Sequence, residues 1–181
     1  MRRDKGGTRW DVSRSIYKEE SHLAKDTREP QEILAHIISA RVALTSTIYG
    51  LSEDELTREG PVGKWSVKDV MAHIGHWEQV CLEEFEAHLR GERTGKDYRD
   101  VLALNDQWEA GLHGLSLQES IDMFETTHYR LFGLLSSLRP DQWSGYIRIW
   151  IPGATWHHFE EHAEHIRTWR ELVLNSIKET A

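Results

Sequence analysis

The chain has 181 residues, about one domain's worth, and a compact fold of that size hides roughly 70% of the surface its unfolded chain would expose. Its 22 Lys and Arg stand against 30 Asp and Glu, a formal charge of -8 that repels phosphate backbones, and the basic residues gather on no single stretch, so nucleic acid is not an expected partner. No apolar run approaches the roughly 20 residues that cross a bilayer, no secretory h-region follows Met1, and the single cysteine, Cys81, excludes intrachain disulfides and cysteine metal sites, so a cytoplasmic protein without a membrane role is expected.

Residues 1–29 carry many charges with Ser, Thr and Gly and only scattered apolar positions, and read as an N-terminal tail ahead of one domain over residues 30–177. From Gln31, the residues Ile33, Leu34, Ile37, Ile38, Val42, Leu44 and Ile48 recur at spacings of three and four, predicting a first amphipathic helix up to Gly50. A short turn over 51–56 and a breaker-rich loop over 59–63 lead to Ser66, which with Asp69 approximates a capping box. Val67, Val70, Met71, Ile74, Trp77, Cys81 and Leu82 then form the stripe of a second helix ending near Gly91, with Cys81 an inert buried thiol. The basic residues Arg90, Arg93, Lys96 and Arg99 are diluted by Glu92, Asp97 and Asp100 and read as a solvated loop.

The stretch 97–112 is moderately helical, and Ser116 to Glu119 is a capping box opening a third long helix through Phe124, His128, Leu131, Leu135 and Leu138, stopped by Pro140. The run Tyr146 to Ile151 favours β-structure but has no strand to pair with, so residues 143–152 are expected to be an extended connection. Thr155 is the expected N-cap of a fourth helix from Trp156 to about Ile177. Four long amphipathic helices without alternating strand patterns predict an all-α four-helix bundle.

Eleven histidines are conspicuous, four of them (His157, His158, His162, His165) within nine residues. On a wheel of about 100° per residue with Phe159 at zero, His162 and His158 fall near 300° and 260°, at the edge of the stripe that Ala163, Ile166 and Val173 bury. This i, i+4 pair can grip one cation. His165, near about 240°, lies close enough to assist, Glu161 is marginal, and His157 points away. His73 borders the buried stripe of the second helix and supplies a third ligand, whereas His76 is expected on its solvent face. Three neutral imidazoles leave open positions for water or substrate, and zinc, nickel, iron or manganese would each suit them. The bland alternative is a histidine-rich polar face and a His73 that packs at the core edge. Trp77 and Trp169 read as core, while Trp108, Trp150 and Trp156 are candidates to wall a pocket. A phosphate-binding Gly-rich loop and a nucleophile elbow are both absent from the sequence.

Lys64-Trp65-Ser66-Val67-Lys68-Asp69-Val70-Met71-Ala72-His73-Ile74 followed by Trp77-Glu78 resembles the second-helix signature of the DinB-like superfamily, closest to its ClbS/DfsB branch. Gly153-Ala154-Thr155-Trp156-His157-His158-Phe159-Glu160-Glu161-His162 is similar to that branch's fourth-helix pattern, and the resemblance runs from about Pro30 to Leu174. It implies an up-down-down-up bundle and a divalent metal held by His73, His158 and His162. An alternative register would use Glu161 and His165, but the His-x-x-x-His pair followed by Ile166 fits the superfamily pattern better. Members of the superfamily include thiol S-transferases and isomerases that use mycothiol or bacillithiol, and the branch includes a resistance protein that hydrolyses a reactive genotoxin. The expected function is therefore metal-dependent hydrolysis or thiol transfer on a small reactive molecule, in detoxification or stress protection. A low-molecular-weight thiol is a candidate second cofactor, and His165 and Glu161 are candidate proton carriers. The alternatives are a non-enzymatic small-molecule-binding protein and a stress scaffold that forms a homodimer through its helix faces, as bundles of this family often pair.

Overall fold

The computed structural model describes residues 26–179, so the expected tail lies, over residues 1–25, outside the described residues. The described residues run through α1 (Pro30–Ile48), α2 (Glu53–Thr57), α3 (Val67–Leu89), α4 (Val101–His113), α5 (Leu117–Ser137), a 3-10 turn (Pro140–Gln142), α6 (Gly145–Ala154) and α7 (Trp156–Glu179). It is an all-α fold with no strand among the described residues, and none of its helices is long and apolar enough to cross a membrane. Helices α1, α3, α5 and α7 form the four-helix bundle. The strongest packing joins α3 to α5 and α1 to α7, and thinner contacts of α3 with α7 and of α1 with α5 close the ring.

Local chemistry sets the helix starts. Ser52, Ser66 and Ser116 each accept from the backbone N–H three residues on, while Glu55, Asp69 and Glu119 reach back to the serine N–H at 2.8 Å. Asp100 opens α4 by accepting from Ala103 N at 3.0 Å. The stripes read from the sequence meet in the core, where Ile33, Ile37, Leu44, Val70, Ile74, Leu82, Phe85, Phe124, Leu131, Leu135, Phe159 and Ile166 are buried. Gly75 permits the close approach of α3 and α5, since a Cβ there would stand 2.8 Å from Met123 Cγ and 3.0 Å from the backbone of Met123 and Phe124. That approach fixes the depth of His73, two residues earlier on the same helix.

Residues expected to form an extended connection are helical instead. Ser144 caps α6, and Ile147 and Ile151, four apart, are both fully buried against the bundle while Tyr146 and Ile149 stay partly exposed. Burying an isoleucine stabilises by about 1.5–3 kcal/mol, more than the whole β-propensity scale of about 1 kcal/mol, and there is no neighbouring strand to reward an extended backbone. The following cap also differs from expectation: Thr155 separates α6 from α7, but its hydroxyl donates back to the Ile151 carbonyl at 2.7 Å. The carbonyl of Thr155 instead accepts from Phe159 N at 2.8 Å, so the chain passes from α6 into α7 through a single residue.

Candidate metal centre

Helix α3 supplies His73 and helix α7 supplies His158 and His162, one turn apart, and all three are buried at no more than 2% exposure. Their candidate ligand nitrogens lie within 4.8 Å of one another. The rings meet as a compact group, with centroids 4.9 Å apart for His73 and His158, 5.4 Å for His73 and His162, and 4.8 Å for His158 and His162. Among the described residues this is the one group of three or more metal-ligating side chains so gathered, and Glu161 and His165 do not join it.

The hydrogen bonding of the group is what distinguishes it from ordinary core histidines. Both ring nitrogens of His158, both of His162 and Nε2 of His73 are buried without a hydrogen-bond partner. Each buried polar atom left in that state costs about 1–3 kcal/mol, and native folds keep few of them. Burial first, and the neighbouring imidazoles second, hold all three histidines well below the ordinary value of 6.5, so they are neutral and their lone pairs are available at physiological pH. Three neutral nitrogens from two helices are a donor set for a borderline divalent ion rather than for calcium or magnesium, which take oxygen. The residues therefore fit a metal of the zinc, nickel, iron or manganese type, and three protein ligands leave a position open to water or substrate.

Around this group the remaining expected residues take separate places. His165 is half-buried with its ring 5.7 Å from that of His162, and its Nδ1 is buried without a partner. Glu161 is half-buried on the turn between the two α7 histidines, and His157 points away with its side chain 42% exposed. His76, expected in solvent, is half-buried because its ring packs 4.3 Å from that of Trp108, whose α4 covers this side of α3. Cys81 is fully buried, and burial pushes its thiol well above the ordinary range, as an inert core thiol requires.

The tryptophans expected to wall a pocket do not line the cleft that reaches His73. Trp156 is buried with His36 edge-on at 5.1 Å and the Arg28 guanidinium 4.6 Å above its ring, Trp150 packs on Tyr98, and Trp108 packs on Trp77. The cleft that reaches His73 is lined instead by Trp65, Asp69, Asn105, Glu109, Leu112 and His113. Trp65 lies over His73 at 4.8 Å between ring centroids and donates from Nε1 to Glu109 Oε1 at 2.9 Å. Asp69 serves both cap and cleft. Burial pushes its carboxyl up, but the hydrogen bonds from Ser66 and the Lys68 ammonium outweigh this and hold it below the ordinary value. Asn105 had a sequence signal: it falls four residues after Val101 and three before Trp108, an amide within the apolar face of α4.

Comparison with known proteins places this architecture. A structure of a protein from Streptococcus pneumoniae, solved by the Northeast Structural Genomics Consortium, superposes with a TM-score of 0.68 at 18% identity, covering 84% of this chain and 96% of that one, a likeness of fold. No curated protein matches the chain. The family model described as the DinB superfamily matches residues 36–168, a stretch that begins within α1, ends within α7 and contains all three clustered histidines. On that match, spanning most of the bundle and the centre within it, the chain belongs to the DinB superfamily.

Proposed function

We propose that this chain stands in the ClbS/DfsB branch of the superfamily and is a divalent-metal-dependent enzyme that acts on a small reactive electrophile, by hydrolysis or thiol transfer, in detoxification or stress protection. The observation that carries the reading is that five buried, unpartnered ring nitrogens of His73, His158 and His162 meet in one place, within reach of a single ion. The signature from Lys64 to Glu78 supports the branch. His73, His158 and His162 would hold a divalent ion, which would supply Lewis acidity to activate a water or low-molecular-weight thiol near neutral pH.

The chain's own residues do the rest. His73, fixed in depth by the close α3–α5 packing at Gly75, and the His158–His162 pair on one face of α7 hold the donors in place from two directions. Trp65 covers His73 and limits the access of water. His165 Nδ1, buried and unpartnered beside His162, is placed to take the proton released by the nucleophile, and Glu161 on the adjoining turn is a second carrier.

Elemental mass spectrometry on protein purified without a histidine tag tests the reading, with His73→Ala and His158→Ala alongside. About one equivalent of a transition metal in the natural chain, lost in both variants, is expected. Protein that takes up no zinc or nickel on soaking overturns the enzyme reading and favours a binding protein with incidental histidines.

A further inference from the structure

Asn105 is 6% exposed, and its amide has only one orientation open to it. The Trp77 indole N–H, which can only donate, bonds Oδ1 at 3.0 Å, so Nδ2 is the group left over. Nδ2 is buried and has no hydrogen-bond partner. Native folds keep few buried donors in that state. Asn105 shares its cleft with His73, and the cleft's space of about 10 Å³ admits a single oxygen-sized group. The exposed bond from Trp65 Nε1 to Glu109 Oε1 joins two walls of the same cleft.

The walls select the ligand's chemistry. An amide N–H donates only, so the ligand must bring an acceptor. The carboxylates of Asp69 and Glu109 line the cleft and repel an anion. The Lys68 ammonium, next to Asp69, is already taken by Asp69 Oδ1 at 3.0 Å and by the carbonyls of His113 and Leu115 at 2.8 and 2.9 Å. Trp65 and Leu112 offer apolar surface at the sides. We propose that the cleft binds a neutral carbonyl compound, an amide, ester or ketone, whose oxygen accepts from Asn105 Nδ2. The assignment rests on the metal-centre reading for this compound's being a substrate, but not for its binding.

The test uses the full chain, metal-free, followed by ¹H–¹⁵N NMR while acetamide or the isosteric anion acetate is added. Saturable acetamide shifts at the Asn105 side-chain NH₂ and the Trp77 indole N–H are expected, with acetate weaker by about tenfold or more. Asn105→Asp keeps an oxygen for Trp77 and removes the donor, and is expected to weaken acetamide by about tenfold while zinc uptake stays unchanged. Acetamide that leaves the Asn105 NH₂ unmoved, acetate that binds equally well, or an Asn105→Asp protein that binds like the natural chain each overturn the proposal. The wild-type titration decides the question even where the variant fails to fold. Zinc content, measured separately, keeps the two readings apart: acetamide binding without zinc uptake sinks the metal centre alone, and zinc uptake without acetamide binding sinks this proposal alone.

Discussion

Two polar clusters are buried in this helical core, and α3 contributes to both. In one, Glu78 is fully buried, accepts from His128 Nδ1 of α5 at 2.6 Å and faces Arg41 of α1 at 3.8 Å, while Arg41 donates to the Phe124 carbonyl at 2.8 Å and lies 3.3 Å from that residue's ring centroid. Burial raises the Glu78 carboxyl above its ordinary value against the pull of His128 and Arg41. In the other, His73, His158 and His162 are as deeply buried, yet Nε2 of His73 and both ring nitrogens of His158 and His162 have no hydrogen-bond partner. The same interior thus holds one group whose opposite charges face each other within the chain and one set of neutral nitrogens that a bound ion could satisfy.

The contrast is sharpest in variants. His162→Leu fills the space with an apolar side chain and is expected to lower bound metal to below about a tenth of an equivalent while leaving metal-free stability equal or raised, because an unsatisfied group is removed. Metal analysis beside urea unfolding checks both halves. Glu78→Ala is expected to do the opposite, costing about 3–5 kcal/mol by leaving Arg41 and His128 uncompensated while the folded fraction still binds metal. A Glu78→Ala protein as stable as the natural chain would break the contrast.

Acid adds a smaller effect. The three clustered histidines have folded-state values below 6.5, so beneath that pH the unfolded chain binds more protons than the folded one. Stability of the metal-free protein is fully present above pH 6.5 and declines as pH falls towards those folded values, by up to about 1.4 kcal/mol per pH unit for each histidine. Urea unfolding at pH 7 and pH 5.5 reads the slope, and His162→Leu should make it shallower. The smallest expected effect is that of His165→Ala, which should leave metal content unchanged since His165 stands outside the cluster; loss of metal there would restore the Glu161 and His165 register.

Much of this was legible in the sequence because the signals are local. The serine capping boxes and the three-and-four spacing of Ile33, Ile37 and Leu44 or of Phe124, Leu131 and Leu135 depend on neighbours along the chain, and a helical wheel places His158 and His162 on one face without reference to any other element. What failed depended on distant partners. Residues 145–154 became α6 because the bundle offers a surface for Ile147 and Ile151, and His76 left solvent because α4 brings Trp108 across it. Trp65 and Asn105 reach the cleft from the loop before α3 and from α4, a meeting that no spacing within either segment encodes.

The bundle is two well-packed helix pairs, α3 with α5 and α1 with α7, joined by a thinner seam, and the histidine cluster straddles that seam. A cation bound there is a cross-link between halves that sequence keeps far apart. By mass action, a cation present at a hundred times its dissociation constant adds about 2.7 kcal/mol to the folded state. Slowed amide exchange on loading would then spread into both helix pairs, and the two halves would move more firmly as one body.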